Sequence, residues 1–174
     1  MANYAALEYD VTIEIPRGSK VKYEYDTTSG RLRVDRILTT AYTYPYNYGY
    51  IPGTLSEDGD PVDIMVLGEH AFLPGCVVRC RVVGGLITYD GTVDDVVLKA
   101  DPKIIMVPIG NIDRSVGGLE EVPKVSQAII EDFFRNYKNN EPTKKVRIGE
   151  WMGAEEAIDH INYIDEWVED ARVG

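Results

Sequence analysis

Asp58-Gly59-Asp60-Pro61-Val62-Asp63 runs directly into Ile64-Met65-Val66-Leu67, so a turn dense in carboxylates is joined to an apolar run of strand length. Asp, Gly and Pro are turn formers, since Asp bonds its own backbone, Gly supplies positive φ and Pro presets its own. Taken alone, the segment reads more readily as a solvated turn than as chemistry. Carboxylates this close repel one another unless a cation lies among them. An oxygen-only donor set suits a hard ion such as Mg²⁺ rather than zinc. The remainder of the chain decides between the two readings.

Upstream, Tyr9, Val11, Ile13 and Ile15 alternate with Asp10, Thr12 and Glu14, the pattern of a half-buried strand. After the turn at residues 16–19, Val21, Tyr23 and Tyr25 alternate with Lys20, Lys22, Glu24 and Asp26, so Lys22 and Glu24 share a face. Residues 31–38 place Leu32, Val34, Arg36 and Leu38 on one face. A charge among apolar neighbours must be paired or must meet a ligand, so Arg36 is read either as half of an ion pair or as an anion contact. Residues 42–50 carry tyrosines at every second position, which makes an aromatic hairpin or loop. Phenols are also neutral donors that can hold an anionic oxygen.

Further short strands are expected at 62–67, 76–83, 85–89 and 103–107, and many short strands joined by Gly/Pro turns suggest a closed barrel. The last third changes period. Val125, Ile129, Phe133 and Tyr137 recur every fourth residue, as on an amphipathic helix ending at Tyr137-Lys138. A second helix is expected from Ala154 to about Ala171, with Ala157, Ile158, Ile161, Ile164 and Val168 on one face. Strands followed by helices give an α+β chain, mainly β.

The chain has 174 residues, 44% hydrophobic and 27% charged, which fits one soluble domain with a core of its own. Its net charge of −11 argues against a nucleic-acid or anionic-membrane partner, because both need a basic surface. An anionic substrate is compatible with that charge only if bound cations invert the local field. No stretch has membrane-span length and the N-terminus lacks the regions of a signal peptide, so a cytoplasmic location is expected. Cys76 and Cys80 would lie about 13 Å apart along a strand, too far for a disulfide. His70 and His160 are read as surface or structural residues.

With tyrosines and carboxylates taken together, the chain resembles the family I soluble inorganic pyrophosphatases. The residue 58–63 segment looks like that family's D-G-D-P-x-D signature. Ile13-Glu14-Ile15-Pro16, Lys22-Tyr23-Glu24, Val34-Asp35-Arg36, residues 44–50 and Phe133-Phe134-Arg135-Asn136-Tyr137-Lys138 stand in the family's order, so the similarity covers about Tyr9 to Trp151. The resemblance implies a five-stranded OB-like closed barrel with additional hairpin strands and two C-terminal helices packed on it, as a single domain over residues 1–174. It implies Mg²⁺-dependent hydrolysis of pyrophosphate to two phosphates, with several Mg²⁺ per site and Mn²⁺ or another divalent ion as a substitute.

By similarity, Asp58, Asp63, Asp90 and Asp101 would hold metals, with Glu14 acting through coordinated water. Asp60 would take the proton of the attacking water, and Tyr48 is grouped with it as catalytic. Lys22, Arg36, Tyr48, Lys103, Tyr137 and Lys138 would hold phosphate groups, while Glu24 and Tyr44 would surround them. Family members are symmetric homo-oligomers, and the short chain resembles the hexameric kind, with a dimer as the alternative.

Two departures mark this chain. The family's next two acids usually lie on a short loop ending in D-x-K. Counting forward from Gly84 gives Asp90 and then Asp95, but Val97 stands where the lysine belongs. Counting back from the apolar run 104–107 gives Asp101-Pro102-Lys103 directly, at the cost of an insertion within residues 91–100. Loop closure entropy grows slowly with length, so such an insertion is tolerated. Asp94 and Asp95 then become solvated loop residues. The second departure is Arg135-Asn136, where Glu-His is usual.

The alternative reading is a catalytically weak or inactive paralogue that binds metal-diphosphate or a protein partner. A nucleic-acid-binding barrel is disfavoured by the charge and by the lack of interleaved basic residues.

Overall fold

The computed structural model describes residues 7–110 and 118–162. The turn at 58–61, with Gly59 at φ +88°, hands the chain to β5 (Asp63–Val66). That strand lies between β4 (Asn47–Tyr50), antiparallel to it, and β7 (Lys99–Pro108), parallel to it. β7 pairs with the 16-residue β6 (Val77–Thr92), the first part of β6 pairs with β1 (Glu8–Ile15), and β1 pairs back onto β4. The order β1-β4-β5-β7-β6 therefore returns to β1 and closes a ring of five strands, the OB-like arrangement expected from the sequence. β2 (Val21–Asp26) and β3 (Arg31–Ile37) form a separate two-stranded sheet, and β8 (Lys144–Gly153) extends the second half of β6.

Alternation along the strands sorts the ring into two faces. Val11, Ile13, Ile64, Val66, Val78, Cys80, Val82, Ile104 and Met106, from four of the five ring strands, form one buried cluster with Ile51 just beyond β4, which is the barrel interior. Ala157 of the short helix α2 (Ala154–Asp159) packs on this cluster. Met65, Leu86, Ile105 and Val107 form the second cluster together with Ile130, Phe133 and Phe134 of helix α1 (Lys124–Asn136). β5 and β7 are thus covered on both faces. That is why 64–67 and 104–107 read as continuous apolar runs instead of alternating ones. Where β4 crosses β1 the fit is tight: a Cβ on Gly49 would stand 1.9 Å from the Thr12 carbonyl oxygen.

Several local expectations change. The strands expected at 76–83 and 85–89 are one strand, because the irregularity between Val82 and Gly84 bends β6 without ending it. β8 was not anticipated: Val146 and Ile148 alternate too briefly among Lys144, Lys145, Arg147 and Glu150 to stand out. On α1 the buried residues are Gln127, Ile130, Phe133 and Phe134, while Val125 is 66% exposed and Ile129 46%. A strict four-residue spacing overshoots the 3.6-residue turn, so the apolar stripe follows mixed three- and four-residue steps.

The second helix ends at Asp159, and its expected continuation through Ile164 and Val168 lies outside the described residues. Cys76 is half-buried, Cys80 is buried, and both are free thiols.

Candidate active site

Asp63 begins β5 on the same face as Met65, and Lys103 and Asp101 share the face of Ile105 on the neighbouring β7. On β6, Asp90 shares its side with Thr88 and Leu86. These polar side chains therefore continue the outer face that α1 covers further along. The site lies on the outer wall of the barrel, and Arg36, read from sequence as a charge among apolar neighbours, sits on the separate β2–β3 hairpin. Its neighbours also differ from the parity reading. The pairing slips between Lys22↔Arg36 and Tyr23↔Val34, leaving Asp35 unmatched, and Val34 is 62% exposed.

All fourteen residues singled out from the sequence line one cleft of about 840 Å³. Asp58 and Asp60 stand on the exposed turn, fixed by the Asp60 N–H donating to Asp58 Oδ1 at 3.0 Å and the Ser56 N–H to the Asp60 carbonyl at 2.7 Å. Lys103 is 4% exposed. Its ammonium donates to Asp63 Oδ2 at 2.6 Å and to Asp101 Oδ2 at 2.5 Å, and it faces the rings of Tyr48 and Phe134 at 5.8 and 5.7 Å. Burial works against that charge, but the Asp63 and Asp101 carboxylates outweigh it and hold the ammonium well above its usual range.

Lys138 pairs with Asp90, and Lys22 with Asp35 at 3.0 Å. Arg36 reaches Asp35 through Nε at 3.1 Å and Glu141 through Nη1 at 2.8 Å. Each candidate phosphate-holding cation thus already meets a carboxylate. Tyr48 is buried, with its phenol pushed far above the usual range by that burial. Tyr44, Phe133 and Tyr137 continue the aromatic wall, with ring centroids 4.7 Å apart for Tyr44–Phe133 and 4.9 Å for Phe133–Tyr137.

Glu14 comes from β1, accepts the Tyr25 N–H at 2.8 Å, and is raised by burial to about 7. Asp60 is raised by burial and by the charges of Asp58 and Asp63. Asp101 is raised by burial, with Lys103 opposing. Crowded carboxyls held above their normal range are what a cluster short of positive charge should show. Among the described residues, no three Asp, Glu, His or Cys side chains lie close enough together to enclose a cation as they stand. Lys103 occupies the space between Asp63 and Asp101. The donor chemistry nevertheless fits a hard divalent ion, since Glu14, Asp58, Asp60, Asp63, Asp90 and Asp101 offer only oxygen to one cleft.

The connection between β6 and β7 falls within residues 91–100. Asp94 and Asp95 are exposed at its tip, Asp95 accepts from the Thr92 N–H at 2.6 Å, and neither lines the cleft. Sequence reasoning gave no role to Asp35 or Glu141. The bulge hid the first, and no local pattern announces a partner for Arg36 more than a hundred positions away.

Compared with known proteins, the chain matches the family described as Inorganic pyrophosphatase over residues 11–170. It is 44% identical over 154 residues to the inorganic pyrophosphatase of Nanoarchaeum equitans, covering 87% of this chain and 91% of that one. Against the inorganic pyrophosphatase of Saccharolobus solfataricus it is 42% identical over 157 residues, 88% of each chain. Among solved structures, the inorganic pyrophosphatase of Helicobacter pylori superposes with a TM-score of 0.82 at 41% identity, over 87% of this chain and 88% of that one. The Thermus thermophilus inorganic pyrophosphatase gives 0.79 at 37% identity, over 90% and 88%.

Proposed function

The chain belongs to the inorganic pyrophosphatase family and hydrolyses pyrophosphate, and from that premise we propose that this cleft carries out the cleavage with Mg²⁺ as its metal. The observation that supports it most is the meeting, on one outer wall of the barrel, of an oxygen-only carboxylate set with Lys22, Arg36, Lys138 and the phenols of Tyr48 and Tyr137. Phosphoryl transfer needs little covalent help from a protein; it needs positioning and neutralisation of developing charge.

Asp58, Asp63, Asp90 and Asp101 would hold the divalent ions, with Glu14 reaching them through water. Bound there, such ions lower the pKa of water and offset the negative charge of the phosphates. Asp60 accepts the proton of the attacking water. It is the acid of the 58–63 turn not assigned to metal, so its carboxylate is left to act as the base. Arg36 offers a planar fork and Lys22 and Lys138 offer point charges to the substrate oxygens, while Tyr48 and Tyr137 donate without adding charge. Lys103 keeps Asp63 and Asp101 together and stands within reach of the same anion.

Phosphate release from pyrophosphate, measured with and without Mg²⁺, tests the reading. We expect metal-dependent release in the wild type and a loss of about a hundredfold or more in kcat for Asp60→Asn. Full activity in Asp60→Asn, or none in the wild type at any Mg²⁺ concentration, would overturn it.

We take residues 1–174 as one functional domain acting in the cytoplasm. No helix among the described residues is long and apolar enough to cross a membrane. We take the assembly to be a homo-oligomer, hexameric by likeness to the compact members of the family. The exposed Val125 and Ile129 on the outer side of α1 are consistent with a covered surface, and sedimentation would give the mass.

A further inference from the structure

The β2–β3 hairpin carries Lys22 and Arg36 yet shares no ladder with the barrel. On one side it rests on β1, where Glu14 accepts the Tyr25 N–H and the Tyr25 ring meets Tyr50 with centroids 6.4 Å apart. At its base, the Leu38 N–H donates to the Lys20 carbonyl at 2.9 Å and the Tyr44 N–H to the Ser19 carbonyl at 3.0 Å. On the far rim the attachments come from the connection between α1 and β8. There Asn140 Nδ2 donates to the Thr39 carbonyl at 2.9 Å, and Arg36 Nη1 donates to both Glu141 oxygens at 2.8 and 3.1 Å. The Arg36 side chain is 31% exposed and that of Glu141 28%, so their pair is half-buried.

Arg36 is thereby held by acids from two different elements, Asp35 through Nε and Glu141 through Nη1. These bonds leave Nη2 for a ligand in the cleft that Arg36 lines. Asp35 also takes Lys22, so two acids and two bases form one neutral group at the mouth. A free arginine loses much rotamer freedom when it binds phosphate; one already fixed by a carboxylate has lost it beforehand.

We propose that Glu141 is a positioning residue for pyrophosphate: it holds Arg36 across the mouth of the cleft and fastens the β2–β3 hairpin to the opposite rim. The proposal rests on the pyrophosphatase reading above. Glu141 acts through Arg36, so removing it should weaken substrate capture more than it slows the chemistry.

The test is steady-state pyrophosphate hydrolysis by wild type, Glu141→Ala, Glu141→Gln, Arg36→Lys and the Glu141→Ala/Arg36→Lys double variant. Glu141→Ala should raise KM about tenfold with kcat within about threefold of wild type. Glu141→Gln keeps an oxygen acceptor for Nη1 and should recover most of the loss. In the Arg36→Lys background, Glu141→Ala should add little. Backbone amides of residues 21–37 should also exchange hydrogen faster in ligand-free Glu141→Ala than in wild type.

A KM that is unchanged or lowered in Glu141→Ala overturns the proposal, the second outcome making Glu141 a competitor of phosphate. An equal rise in KM in the Arg36→Lys background also overturns it, and so does unchanged exchange in the hairpin. A wild type that releases no phosphate would instead overturn the pyrophosphatase reading itself.

Discussion

Lys103 shows how one residue decides the state of the cleft. It is buried at the cleft wall, touches Asp63 and Asp101, and has the rings of Tyr48 and Phe134 close by, so its charge is largely shielded from water. Removing one member of such a buried group typically costs about 3–5 kcal/mol, because the charges left behind stay uncompensated. Lys103→Met should therefore lose about that much stability in chelator, and added divalent metal should restore more of it in the variant than it adds to the wild type. Urea unfolding with and without Mg²⁺ measures both quantities, and an identical loss in the two conditions would dissociate Lys103 from the metal carboxylates. The D-x-K spacing made Lys103 legible in the sequence as a candidate site residue. Its burial between two acids was not legible, because that depends on the parallel register Asp63↔Lys103 between strands forty positions apart.

At the scale of elements, the long β6–β7 hairpin separates two kinds of carboxylate. Asp90 and Asp101 lie on the body of the hairpin facing the cleft, whereas Asp94 and Asp95 sit at an exposed tip. The double substitution Asp94→Asn/Asp95→Asn should leave kcat/KM within about twofold of wild type, since charges in open solvent are screened within roughly 10 Å. Asp101→Asn should lower it by at least about tenfold. A tenfold loss in the double variant would place the tip in the site.

The strands that read plainly, at 9–15 and 62–67, have strong alternation or strong apolar runs. β8 has neither, and it exists because the second half of β6 offers it an edge and because Ile148 and Trp151 pack toward the α1 core. The face of α1 was misread for a similar reason: Val125 and Ile129 fit a pattern, but the phenylalanine pair at 133–134 fixes which side meets the barrel.

For the whole molecule, the net charge of −11 gathers in part at a cleft where Glu14, Asp60 and Asp101 are held above their usual range. Glu14 carries the largest consequence. Its ordinary value of 4.5 rises to about 7 in the fold because of burial, so between those values the folded chain binds more protons than the unfolded one. Stability then falls as pH rises through that window and levels off above about 7. Without metal, Glu14→Gln should be indistinguishable from wild type near pH 4 and more stable at pH 8, on the order of 2 kcal/mol. Thermal or urea unfolding in chelator across that range checks the sign, and a variant less stable at pH 8 would show that the ionised Glu14 is favoured after all.

The closed ring described above carries a consequence of another kind. Closure requires Glu8 to meet Arg81 and Asp63 to meet Lys103, so neither the first strand nor the fifth can complete its bonding until β6 and β7 exist. A chain leaving the ribosome must therefore hold its N-terminal strand with an unpaired edge while more than half of its length is still to be made. Contacts this distant along the chain place its folding among slow, β-rich topologies, on the scale of milliseconds to seconds.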